Sequence, residues 1–177
     1  MRQTVDYLHE KTDVICVVNT TGTPYYRRQL LRDVVVWYGL SQGIQDGILK
    51  SVEGSIYAYD FDNANADEFV AEVVRDFFES YGAVVLPNGA PAKLAIYFPQ
   101  TKDLRELRPV VEQTLVSLGV STDVVLRNTS NSAEAEVEAF NRLNDPASPY
   151  RVVLLVNKGT EGWNCPSLFA CALARKL

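Results

Sequence analysis

The feature that most constrains this chain is an alternation, through its second half, of uninterrupted apolar runs with stretches of helical spacing. Leu94-Ala95-Ile96-Tyr97-Phe98, residues 124–126 and residues 152–156 read as buried strands, because a strand covered on both faces shows no polar alternation. Between the first two runs, Leu104, Leu107, Val111, Leu115 and Leu118 recur at helical intervals and stop before Gly119. Pro109 falls inside that stretch, where it either kinks the helix or opens its main part. A second helix over 133–143, capped by Asn131 or Ser132, precedes the third run. This order predicts an α/β fold, a parallel sheet with right-handed crossovers. Ligands of such sheets bind at the carboxyl ends of the strands, which nominates the loops 20–24, 99–102 and 157–166.

The first half is less regular. Val14-Ile15-Cys16-Val17-Val18 reads as another covered strand, and Thr23-Pro24 suits a helix start. That helix is expected to run through Leu30, Leu31, Val34, Val35 and Tyr38 to Gly39. Residues 40–64 read as strand or hairpin, with a turn at Asp46-Gly47. From Asn65 a helix is clear: Asn65 and Glu68 have capping-box spacing, Phe69, Val73, Phe77 and Tyr81 form a stripe, and Gly82 closes it. Residues 85–91, rich in Pro, Asn and Gly, are the best linker candidate.

Charge narrows the function classes. The chain carries 17 Lys/Arg against 22 Asp/Glu, net −5, which argues against a surface that binds nucleic acid or anionic membrane all over. Eight acidic residues against Arg75 lie between Glu53 and Glu79, so any anion-binding surface is expected mostly in the second half or in local clusters. Three cysteines, Cys16, Cys165 and Cys171, match no zinc or redox spacing and read as reduced thiols of a cytoplasmic protein. A lone His9 argues against a histidine-based triad, and Asp60 with Asp62 lack a third ligand, so no catalytic residue and no metal site is assigned. No apolar run is long enough to span a membrane.

The richest loop is Asn157-Lys158-Gly159-Thr160-Glu161-Gly162-Trp163-Asn164-Cys165-Pro166. Its glycines admit close backbone approach, and its lysine, threonine and amides suit phosphate and ribose. The same loop could equally be surface chain whose Trp163 packs on the core. Arg27, Arg28 and Arg32, and likewise Arg105 and Arg108, read either as solvated helix faces or as nucleic-acid or interlobe contacts. No Gly-Lys-Ser/Thr phosphate loop occurs anywhere.

Thr20-Thr21-Gly22-Thr23-Pro24-Tyr25-Tyr26 resembles the third motif of superfamily 2 helicases, and residues 151–166, with Thr160-Glu161-Gly162-Trp163-Asn164, resemble the fifth. The Glu-Gly-Trp version is similar to the Res subunit of type III restriction enzymes and its DEAD/DEAH-box relatives, and Leu94 to Lys102 matches the fourth motif. The resemblance implies parts of two RecA-like motor lobes: the end of the first over 1–40, a connecting acidic segment over 41–92, and most of the second over 93–177. It implies that Thr21, Gly22, Thr23 and Pro24 couple nucleotide state to lobe movement and that Gly162 and Asn164 border the nucleotide. Thr101, Lys102 and Thr160 would meet the DNA backbone. Asn164 stands where the family usually has Asp. ATP and Mg2+ would serve the complete parent, and the partners would be double-stranded DNA, the rest of the motor and a methyltransferase subunit. The family's acidic magnesium motif is not identified and the sequence ends before the arginine-bearing sixth motif, so this polypeptide alone is expected not to hydrolyse ATP. The competing expectation is an α/β module that binds a nucleotide or protein without turnover.

Overall fold

The computed structural model describes residues 6–7, 10–12, 18, 20–21, 25–26, 29–30, 36–49, 51, 65–159 and 163–174. The chain divides into two compact units, Met1–Ser55 and Ile56–Leu177. The second therefore begins inside the 41–92 segment and includes residues 66–92.

In the first unit β1 (Tyr25–Tyr26) pairs antiparallel with β2 (Gln29–Leu30), Tyr25 opposite Leu30 and Tyr26 opposite Gln29. This corrects the expected helix from Pro24 to Tyr38, of which residues 36–39 are also non-helical. Aromatic and β-branched residues fill that stretch, and they favour extended backbone even where their spacing mimics a helix. A short helix, α1 (Leu40–Gln45), stands where strand or hairpin was expected. The turn at Asp46-Gly47 is present, with the Tyr38 hydroxyl and the Gln42 amide both donating to the Asp46 carboxylate at 2.7 and 2.8 Å. The run 14–18 lies outside the described residues except for Val18, which is 83% exposed rather than covered.

The second unit opens with α2 (Ala66–Tyr81), followed by β3 (Lys93–Tyr97), α3 (Thr101–Ser117), β4 (Val125–Asn128), α4 (Glu134–Asn141), β5 (Val152–Leu155) and β6 (Leu168–Leu173). Its four strands are all parallel in the order β4-β5-β3-β6, with Leu94 opposite Val152 and Tyr97 opposite Leu155. The expected strand and helix alternation is thus found, and the sheet gains β6, whose Leu- and Ala-rich sequence carries no strand signal.

Alternation along the strands divides the core in two. Leu94, Ile96, Val152 and Leu154 meet Val70, Val74 and Phe77 of α2 and Leu104, Leu107, Val111 and Leu115 of α3. Ala95, Val153, Leu155 and Leu126 face the other way, onto Phe140 and Leu143. The chain runs from β3 to β4 by way of α3 on one face and from β4 back to β5 by way of α4 on the other. Right-handed crossovers that travel in opposite directions require opposite faces. Each buried leucine is worth about 1.5–3 kcal/mol.

Local details follow from competing partners. The buried ridge of α2 is Ala66, Val70, Val74 and Phe77, and the expected stripe flanks it, with Phe69, Val73 and Tyr81 partly covered. Gly82 ends that helix with ordinary right-handed backbone at φ −58°, donating to the Phe78 carbonyl, and a Cβ there would fall 2.1 Å from that oxygen. Helix α3 continues through Pro109. The cap of α4 is Ala133, whose N–H donates to the Glu136 carboxylate at 2.8 Å. Ser132, one of the two expected caps, instead accepts from the Thr129 N–H at 3.0 Å.

Residues 85–91 form an ordered hairpin turn, in which Leu86 N–H donates to Ala90, Gly89 N–H to Leu86 and Ala92 N–H to Val84. The linker expectation is corrected: Pro87-Asn88-Gly89 is turn chemistry, and turns and linkers draw on the same residues. Arg151 ties α2 to the sheet, lying 4.9 Å over the Phe78 ring and donating to the carbonyls of Tyr81 and Ala92.

Lys93 is fully buried, and its ammonium donates to the Tyr150 carbonyl at 3.0 Å. Burial chiefly, with Arg151 adding to it and Cys165 opposing, holds its pKa below the ordinary 10.5. The unfolded chain therefore binds more protons between the lowered folded value and about 10.5, and stability rises with pH through that window. Denaturant titrations at neutral and alkaline pH are expected to show wild type gaining on Lys93→Met as pH rises. Parallel pH curves would refute this.

Candidate functional site

β3 and β5 are neighbours, yet the chain leaves them toward opposite faces. After β3 it enters α3; after β5 it descends the other face, where Trp163 and Cys165 join the Phe140 cluster. In α/β sheets ligands bind at such a divergence, outside the carboxyl ends of the two strands. The loops after β3 and β5 start side by side there, with the Phe98 N–H donating to the Leu155 carbonyl at 2.8 Å.

The loop after β5 begins with unusual backbone. Asn157 and Gly159 both hold left-handed backbone, φ 52° and 64°, a region that costs little for glycine and is tolerated by asparagine. The Tyr97 hydroxyl donates to the Gly159 carbonyl at 3.1 Å. Burial, and secondarily Cys171, hold the Tyr97 phenol above its ordinary value, so it remains a protonated donor at neutral pH. Trp163 stacks on Phe140 with ring centroids 4.9 Å apart, and its ring leaves no room for a Cβ at Gly159, which would lie 2.7 Å away. Trp163 thus packs on the core, one of the two readings the sequence left open, and by doing so shapes the loop.

The proposed contact residues separate in space. Thr101 and Lys102 open α3 directly above β3, and among the described residues Lys102 makes only a 3.7 Å exposed pair with Glu106, of a kind worth close to nothing. Asn164 is exposed, and its carbonyl accepts from Asn144 at 2.7 Å. Asn144 follows α4 on the way into β5, so Asn164 sits toward the end of the sheet opposite Thr101. Thr160 and Gly162 lie outside the described residues, as do Gly22, Thr23 and Pro24 beside the exposed Thr21.

A hollow lies between α3 and the end of β4. Its volume is about 280 Å³, and Thr101, Arg105, Arg108, Arg127, Thr129 and Asn131 line it. Residues 101, 105 and 108 share one helix face. Arg108 Nε binds Glu112 and Arg127 Nε binds Glu136, each at 2.6 Å. Burial opposes ionisation of Glu136, but donation from Arg127, the Ala133 N–H and Ser132 outweighs it and leaves its carboxyl below the ordinary range. Arg105 has no ion-pair partner among the described residues. The sequence reading weighed Arg105 and Arg108 but passed over Arg127 and Thr129, and took Asn131 only as a cap. The carboxyl-end rule, applied to the strand at 124–126, points to the loop that holds Thr129 and Asn131, but not to its meeting with Arg105 and Arg108.

Among the described residues no group of three or more His, Cys, Asp or Glu is placed to hold a metal, and no helix is long and apolar enough to cross a membrane. No protein-family model matches the chain, nor does any curated protein or solved structure.

Proposed function

We propose that residues 56–177 are most of the second, RecA-like lobe of a superfamily 2 helicase of the type III restriction kind, and that in its complete parent this lobe helps bind ATP with Mg2+ and contacts the backbone of double-stranded DNA. The observation that carries the reading is the pairing of the fourth- and fifth-motif loops: they leave adjacent parallel strands and begin within one backbone hydrogen bond of each other. A translocating motor must hold phosphates without reading bases, and a helix-opening hydroxyl and lysine beside a glycine-bearing loop are suited to that. The segment bearing Thr21 would belong to the other lobe.

Binding of labelled duplex DNA tests the reading. Weak binding that ignores sequence is expected, falling about tenfold between roughly 50 and 200 mM salt if two phosphates are engaged. Lys102→Ala is expected to lower the slope of log affinity against log salt by about one. Identical, salt-insensitive curves for the two proteins would sink the proposal.

A further inference from the structure

The hollow between α3 and β4 has a chemistry that the loop pairing does not explain. Three arginines from two elements line it, with Thr101, Leu104, Thr129 and Asn131 completing the wall. Two of the arginines are held in place from behind: Glu112 and Glu136 each take the Nε, and no hydrogen bond occupies the Nη groups of either arginine among the described residues. Glu136 is itself fixed by the Ala133 N–H at 2.8 Å. The Asn131 N–H donates to Thr129 Oγ1 at 3.2 Å, which leaves the threonine proton for another acceptor.

Three positive charges face two carboxylates that are spent on their Nε atoms, and Arg105 is unpaired among the described residues. A guanidinium fork with free Nη donors matches the geometry of a tetrahedral oxyanion better than that of a carboxylate-poor protein surface or an apolar group. At about 30 Å³ per water, the hollow has room for roughly nine waters, enough for one phosphate group with part of its hydration shell.

We propose that this hollow is a binding site for a single phosphate group, in which Arg105 supplies the uncompensated charge, Arg108 and Arg127 supply forked donors, and Thr101 and Thr129 supply hydroxyls. The site deepens the DNA-backbone reading, because Thr101 belongs to both, but it does not depend on it: a free phosphate presents the same oxygens as a phosphodiester.

The test uses the full chain and two probes. In the first arm, thermal unfolding is followed in inorganic phosphate and in chloride at matched ionic strength. Wild type is expected to be stabilised by phosphate specifically, and Arg105→Glu to weaken phosphate binding by about tenfold or more. Arg127→Lys, which keeps the charge and loses the fork, is expected to weaken it as well; both side chains are exposed enough that circular dichroism should report an unchanged fold. The second arm measures the salt slope for duplex DNA. A slope lowered by about one in Arg105→Glu identifies the occupant as a backbone phosphate. An unchanged slope with a lost phosphate response keeps the site and assigns it to a free phosphate, which removes this hollow from the DNA path while leaving the Lys102 result to judge the lobe. An equal response of wild type and both variants to phosphate and chloride overturns the proposal.

Discussion

Leu154→Ala is expected to destabilise the α/β unit by about 3–4 kcal/mol. Leu154 is fully buried on β5, one of the two strands hydrogen-bonded on both sides, and its side chain is clamped between the sheet and the α2–α3 layer. Truncation removes the transfer free energy of the lost methyl groups and leaves a cavity that neighbours on three elements cannot collapse to fill. Leu94 and Val152 are equally buried, so no adjacent side chain has slack to move into the void. Chemical denaturation of wild type and variant, followed by far-ultraviolet circular dichroism, measures the difference. A loss below about 1 kcal/mol would show that this side chain is not held as the structure has it.

Trp163→Ala is expected to cost about 2–3 kcal/mol and to loosen the loop after β5. The indole is only partly buried, which places it below the range for a fully enclosed tryptophan, but it stacks on Phe140 and closes over Gly159. A double-mutant cycle with Phe140→Ala should return about 0.5–1.5 kcal/mol of coupling for the ring pair. Because the indole fills the space beside Gly159, its loss also loosens the Gly159 end of the loop, where the Tyr97 hydroxyl donates to the Gly159 carbonyl. Duplex binding by Trp163→Ala is therefore expected to weaken even though the indole touches no phosphate in this scheme. Additive losses in the cycle would refute the stacking, and unchanged DNA affinity would refute the link from packing to loop shape.

The strands at β3, β4 and β5 and the helices between them were legible because both layers of the core impose their own signature. Leu94 to Phe98 must be apolar throughout to face helices on both sides, and Leu104 to Leu115 must recur every three or four residues to cover the sheet. β6 was not legible, since Ala170, Ala172 and Ala174 pack against the core only because a neighbouring strand and α2 happen to be there. The hairpin of β1 and β2 was misread because Leu30, Leu31, Val34 and Val35 satisfy helical spacing while their neighbours prefer extended backbone. Residues 85–91 were misread because the hydrogen bonds that turn Pro87-Asn88-Gly89 into a fixed corner are invisible in composition.

The candidate site divides in the same way. Thr101 and Lys102 were nominated from sequence because the carboxyl-end rule needs only a strand and the loop after it. The arginine hollow could not be, since Arg105 and Arg127 lie 22 positions apart and meet only when α3 crosses over β5 to deliver β4 to the sheet edge. By itself, then, the sequence determined the α/β class, the parallel strands and the loops at their carboxyl ends, all of which follow from local periodicity and turn chemistry. Only the tertiary structure decided the strand order, the packing role of Trp163 and the meeting of three arginines, because each depends on which distant segments the crossovers bring into contact.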